Sequence, residues 1–148
     1  MLTQQVSQLR QDEGKILKVY DDATESEIAP GTVVKGHPTI GIGRALDVHG
    51  ISDGEAEILF NNDIERVESA LTNFPWYRGL NDVRKGVMVN LAFNMGVDGL
   101  LGFHRMITYM FCESWREAAD ELQNSDWWHQ VQVSRRERLK QQLLTGML

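Results

Sequence analysis

DEGKILKVYDDATESEIAPGTVVKGHPTIGIG, residues 12–43, is the stretch on which the fold assignment turns. It opens at the end of a polar segment, 3–12, in which Val6 and Leu9 stand among hydrophilic residues. That pattern predicts a short amphipathic helix stopped at Gly14. Two short β-leaning runs follow, residues 15–21 and 37–43. Between them a polar connection runs from Asp22 to Gly36 and contains Pro30-Gly31, a turn signal. The reading is a small hairpin or sheet with one long connection.

Downstream the periodicity becomes helical. Ser52-x-x-Glu55, Ser114-x-x-Glu117 and Ser134-x-x-Glu137 each fit a capping box, in which N-cap and N3 side chains satisfy free backbone donors. Apolar residues at 56, 59, 60, 64, 67 and 71 form one face of a long helix behind the first box. Residues 83–95 are apolar nearly all round, as in a buried central helix. Further helices fit 103–112, 115–123 and 135–144. The fold class is therefore α+β, one domain over 1–148. A β lobe spans roughly 12–50, and the remainder, with the N-terminal helix, forms a larger, mainly helical lobe.

Composition narrows the chemistry. The chain has 148 residues, is 42% hydrophobic and 24% charged, and carries a formal net charge of −6. That length and apolar content suit one globular core. A net acidic chain lacks the basic footprint of general nucleic-acid binding. No apolar run approaches the roughly 18 residues of a membrane span. The single cysteine, Cys112, cannot form an internal disulfide and is expected to be a small buried hydrophobe. Charge is uneven, since Arg135, Arg136, Arg138 and Lys140 face only Glu137 over residues 135–148. This basic end reads first as a solvated face, with contact to an anionic polymer or pairing with a catalytic acid as the alternatives; if it offsets repulsion from an anionic substrate, Arg136→Glu gives a salt-dependent loss of activity with folding unchanged.

Candidate chemistry concentrates in 12–43. Gly41-Ile42-Gly43 lacks the third glycine of a dinucleotide fingerprint, and there is no P-loop. His37, His49, His104 and His129 show no metal-ligand spacing, and Asp21, Asp22, Glu25 and Glu27 match no calcium loop, so no metal and no cofactor is expected. Two carboxylates and a hydroxyl remain in one lobe, which is the equipment of a glycosidase. Glu13 stands at a helix C-terminus, where the dipole opposes an anion, a placement that suits a general acid. Glycine in Ile40-Gly41-Ile42-Gly43 permits a bulge or the close approach of a ligand.

Asp12-Glu13-Gly14, the nine residues from Glu13 to Asp22, and Gly36-x-x-Thr39-Ile40-Gly41-Ile42-Gly43 together resemble the catalytic front of the phage-type lysozymes, the endolysins of glycoside hydrolase family 24. The resemblance continues in order through Asp53–Phe60, Asn90–Gly96, Gly102-Phe103, Trp115–Ala119, Ser125–Trp128, Arg135 and Thr145-Gly146. It implies a lysozyme-like fold with the active-site cleft between the two lobes. It also implies Glu13 as acid, Asp22 as second carboxylate and Thr39 as the hydroxyl that places water. Arg135 corresponds to the arginine that pairs with the acid, with a one-residue insertion leaving Arg136 as the other register. Asn94, Gly41 and Gly43 would support the substrate.

Two departures from the family stand out. The connection after Asp22 is long, and it makes Asp21 a rival for Asp22. Arg44 replaces a structural histidine, which puts the local ion pairing in question. Trp127 and Trp128 are expected to pack in the core rather than stack on sugar, and Met88, Met95, Met106 and Met110 are read as core.

The implied activity is muramidase cleavage of the peptidoglycan glycan strand by a monomer. The first ten residues lack a secretory signal, so synthesis in the host cytoplasm and access to the periplasmic wall through a holin-type pore are expected. A lytic transglycosylase, which needs no second carboxylate, and a non-catalytic wall-binding module are the alternatives.

Overall fold

The computed structural model describes residues 3–148. It is 64% helical with one small antiparallel sheet, an α+β fold of the lysozyme type. The chain divides into two compact units, residues 1–57 and 58–148.

The first unit begins with α1 (Thr3–Glu13), which buries none of its residues; Val6 and Leu9 are both exposed. Gly14, at φ +70°, ends the helix in the left-handed conformation that glycine adopts without steric cost. The strands are β1 (Ile16–Asp21), β2 (Ser26–Glu27), β3 (Pro38–Gly41) and β4 (Arg44–Ala45), in spatial order β2-β1-β3-β4. Tyr20 sits opposite both Glu27 and Thr39, and Thr39 opposite Ala45, so β1 and β3 form the centre of the sheet. The Gly41-Ile42-Gly43 segment is the turn of the β3–β4 hairpin, with both glycines near φ +70°. A single-turn helix, α2 (Leu46–His49), leads to α3 (Asp53–Thr72), which crosses into the second unit.

Ser52 and Glu55 form the expected capping box. Ser52 N–H donates to Glu55 Oε2 at 2.8 Å, and Glu55 N–H donates to Ser52 Oγ at 3.3 Å. Arg44 adds an ion pair to the same carboxylate, Nη2 to Glu55 Oε1 at 2.9 Å, and donates to Gly50 O at 3.1 Å. The ion pairing left open by the loss of the family histidine is thus supplied by Arg44 itself.

The second unit holds the rest of α3, then α4 (Pro75–Arg78), α5 (Asp82–Met95), α6 (Val97–Leu101), α7 (His104–Phe111), α8 (Trp115–Gln123), α9 (Asp126–Gln130) and α10 (Val133–Thr145). Among the described residues, every buried apolar side chain of the core belongs to this unit, with Leu71, Met88, Leu91, Leu100, Leu122 and Leu143 fully enclosed. Trp127 and Trp128 are both buried, as are Met88, Met106 and Met110, while Met95 packs partly buried against them. In α5 the inward face is Val87, Met88, Leu91 and Ala92; Phe93 and Asn94 are exposed, so the helix is buried on one side only.

Four expectations need correction. The α3 stripe is buried only at Val67 and Leu71; Leu59 and Phe60 are exposed, with Phe60 edge-on to Phe93 at 5.5 Å. Ser114 makes no capping bond, because Glu113 turns the chain at φ +56° and leaves Ser114 at ψ 71°, outside the extended backbone a capping side chain needs. Ser134 lies inside α10, which starts one residue earlier behind Gln132. Cys112 is exposed, since Met106 and Met110 occupy the inward positions of α7 and Cys112 falls beyond its end. Asn81 and Ser125, which carry Arg84 and Trp128 rather than Glu or Gln three residues on, cap α5 and α9 instead.

Candidate active site

Glu13, Asp22 and Thr39, with Asp21, Gly41 and Gly43, all lie in the sheet unit. Glu13 is the last residue of α1, and its carboxylate lies against the α-carbon of Gly43 in the hairpin turn. A β-carbon built at Gly43 would stand 2.7 Å from Glu13 Oε2. The two ends of the 12–43 stretch, thirty residues apart in sequence, therefore meet here.

Asp21 and Asp22 are adjacent and have opposite environments. Asp21 ends β1 and is buried, with 2% of its surface exposed. Its Oδ2 accepts from Lys35 N–H at 2.7 Å, and its Oδ1 accepts from Gly36 N–H at 2.9 Å and Ala23 N–H at 3.0 Å. The Lys35 amide bond, aided by the other two amides and opposed by burial, holds the Asp21 carboxyl below its ordinary value. Asp21 is thus the knot that closes the long connection. Asp22 is exposed; one oxygen accepts from His37 N–H at 2.6 Å, and its own N–H donates to His37 O at 3.2 Å.

Thr39 is the other buried polar residue of this unit, at 3% exposure on the central strand β3. Its Oγ1 donates to His37 O at 3.1 Å, which orients the hydroxyl and leaves its oxygen able to accept. Asp22 and Thr39 therefore share one residue, His37, whose backbone amide and carbonyl hold both. The imidazole of His37 pairs with Asp47 on α2, Nδ1 to Oδ2 at 2.8 Å. That contact, first as a hydrogen bond and then as charge, raises the His37 pKa above its ordinary value, and the same bond lowers that of Asp47. Sequence reasoning misses this pair as part of the site, because nothing in the spacing of His37 and Asp47 marks them.

The remaining candidates lie in the helical unit. Arg135, in the first turn of α10, donates from Nε and Nη2 to Asn90 Oδ1 at 2.9 and 2.7 Å, and from Nη2 to Asn90 O at 3.2 Å. Asn90 fixes the guanidinium as a fork. Arg136, the other register, donates to Trp128 O at 2.8 Å and lies over the Trp128 ring at 5.1 Å. Arg136 is thus packed on a core residue, so Arg136→Glu is expected to cost stability as well. Asn94 Oδ1 accepts from Trp127 Nε1 at 2.8 Å, and Gly96 ends α5 at φ +82°. A cavity of about 550 Å³ in this unit is lined by Met95, Phe103, Met106, Glu121 and Trp127, with the Arg105–Glu121 ion pair at its rim.

The arrangement of the sheet unit is an exposed carboxylate at a helix end, a second exposed carboxylate, and a hydroxyl tied to it through one residue, His37. These are the donors and acceptors of acid-assisted displacement at an acetal carbon. The chain matches the family model described as phage lysozyme over residues 10–142. It is 28% identical to the probable T4-type lysozyme 1 of Dictyostelium discoideum, covering 95% of this chain and 93% of that protein. The probable T4-type lysozyme 2 of the same organism is also 28% identical, over 80% and 81%. The pre-baseplate central spike protein Gp5 of Enterobacteria phage T4 is 28% identical over 95% of this chain, which spans 27% of that longer protein. With the family model covering nearly the whole length, the chain belongs to the phage lysozyme family, whose members are peptidoglycan-hydrolysing glycosidases.

Proposed function

We propose that the chain is a muramidase that hydrolyses the β-1,4 bond between N-acetylmuramic acid and N-acetylglucosamine, with Glu13 as general acid and Asp22 and Thr39 placing the water. The observation that carries this is the shared hold of His37 on Asp22 and Thr39, which ties an acceptor and a hydroxyl to one residue. Glu13 gives its proton to the glycosidic oxygen as the C1–O bond breaks. A water held by Thr39 and Asp22 adds to C1 from the other face and passes a proton to Asp22. That order inverts the anomeric centre, for which two carboxyls about 6.5–9.5 Å apart leave room for the water.

Asp21 is a poor substitute for Asp22, because three backbone amides already occupy its oxygens. Lysis of a bacterial host from within, with synthesis in the cytoplasm and wall access through a holin-type pore, is the biological setting we propose. Digestion of purified Gram-negative peptidoglycan by wild type and Glu13→Gln, followed by mass spectrometry of the released muropeptides, tests the reading. Reducing-end muramic products from wild type alone are expected. Anhydro-muramic products would assign the chain to the transglycosylases, and no cleavage by folded wild type would refute the enzyme reading.

A further inference from the structure

We propose that Gly43 is a positioning residue for Glu13: its missing side chain is the seat into which the acid's carboxylate packs. This rests on the reading of Glu13 as the acid and deepens it. Three observations combine. Beyond the chain neighbours Ile42 and Arg44, the atoms nearest the place a β-carbon would take at Gly43 all belong to Glu13, with Oε2 at 2.7 Å and Cδ at 3.5 Å. Contacts below 3.0 Å do not occur for real β-carbons, so any side chain at 43 displaces the carboxylate. Glu13 ends a helix that buries nothing, so packing along α1 does little to fix its side chain.

The hairpin is in turn anchored from behind, because Arg44 is tied to Glu55 and to Gly50. The seat is therefore a fixed surface rather than a loose tip. The second carboxylate is placed in a similar way: a β-carbon at Gly36 would fall on Asp22 Oδ1, although there Ala23 is crowded too. Of the two glycines, Gly43 meets the acid and nothing else, which makes it the sharper test.

Gly43 is at φ +70°, so Gly43→Ala also strains the backbone. Gly31→Ala supplies the comparison, since Gly31 is at φ +88° in the turn of the long connection and a β-carbon there would meet nothing within 4 Å. Wild type, Gly43→Ala and Gly31→Ala are compared for thermal midpoint, for kcat and KM on peptidoglycan across pH, and for the carboxyl carbon resonance of Glu13 at fixed pH. Both variants are expected to show a similar small drop in midpoint. Only Gly43→Ala is expected to lose kcat, by about 10–100-fold with KM within about twofold, as a displaced catalytic group does. Its pH–rate profile and its Glu13 resonance are expected to move, and those of Gly31→Ala to stay.

Retention of wild-type kcat in Gly43→Ala, or an equal loss in Gly31→Ala, overturns the proposal. Should Gly43→Ala not fold, Gly43→Asn replaces it, because asparagine tolerates positive φ while still carrying the β-carbon. If folded wild type cleaves nothing, the muramidase reading fails by itself. The resonance then decides the seat: an unmoved Glu13 signal overturns it and a shifted one supports it.

Discussion

Adjacent carboxylates at 21 and 22 are predicted to fail in opposite ways when each is changed to its amide. In Asp21→Asn the carbonyl oxygen can replace Oδ1 and keep Ala23 and Gly36, but the new NH2 then faces Lys35 N–H, where the shortest of the three bonds, 2.7 Å, had been. One charge-assisted bond is lost and two become neutral. Losses of that kind in a chain of this size lower the thermal midpoint by roughly 4–10 °C. Because the Asp21 pKa is lowered on folding, its contribution is present above the ordinary carboxylate value near 3.8 and disappears as pH falls through the folded value. The gap between wild type and Asp21→Asn should therefore be widest near neutrality and close toward about pH 2. Asp22→Asn, at an exposed position, should leave the midpoint within about 2 °C while cutting kcat by about a hundredfold or more. Thermal unfolding monitored by circular dichroism from acid to neutral pH, with turnover on peptidoglycan in parallel, reads both. An inactive but fully stable Asp21→Asn beside an active Asp22→Asn would refute the assignment of roles.

Arg84 donates to Leu143 O at 2.9 Å and Leu144 O at 3.2 Å and lies 3.6 Å over the Trp115 ring. Arg84→Met should cost about 2–5 kcal/mol in chemical denaturation, with the specific activity of the folded protein unchanged. For the exposed His37–Asp47 pair, the raised His37 pKa gives stability that is complete below its unfolded value near 6.5 and lost as pH rises through the folded one. The lowered Asp47 pKa gives stability lost on acidification. Asp47→Asn should thus differ from wild type in midpoint mainly at about pH 5–6, and the difference should fade above about pH 8 and in high salt. Arg136→Glu should lower the midpoint by several degrees even at high salt, since it removes the bond to Trp128 O and the stacking on its ring; a change confined to low salt would contradict this.

Much of the fold was legible because periodic burial is a local signal. Helices over 115–123 and near 135–144 follow directly from the spacing of Ala118, Ala119 and Leu122, and of Leu139 and Leu143, which are buried. The strands flanking the long connection, and the stop at Gly14, were equally readable. What escaped was set by tertiary contact or by chain geometry. Ser114 has the right residue type for a cap but the wrong backbone, imposed by the reversal at Glu113. The short helices α2, α4 and α6 are too brief to show a period. At the site, the types and spacing of Glu13, Asp22 and Thr39 were visible, but their supports were not. Gly43 beneath Glu13, His37 between Asp22 and Thr39, and Asn90 behind Arg135 are contacts across 30, 15 or 2, and 45 residues, and no spacing rule announces them.

The two units hold their shape by different means, and the carboxylates and hydroxyl proposed for the site lie in the one with less core. Among the described residues, all eighteen buried apolar ones belong to the helical unit, whereas the only side chains buried in the sheet unit are Asp21 and Thr39. The sheet unit therefore owes its geometry to directed bonds: three amides on Asp21, the His37 backbone on Asp22 and Thr39, the Arg44–Glu55–Ser52 network, and glycines that leave room for carboxylates. Hydrogen bonds fix angle and distance where apolar packing fixes mainly volume, so a small unit built from them can aim three polar side chains without enclosing them. The cost is that each bond is individually weak in water. A small change at Gly43 or His37 should then disturb reactivity well before it unfolds the chain, while the core of the helical unit, anchored by Leu91, Met88 and Leu143, carries most of the stability that apolar burial supplies.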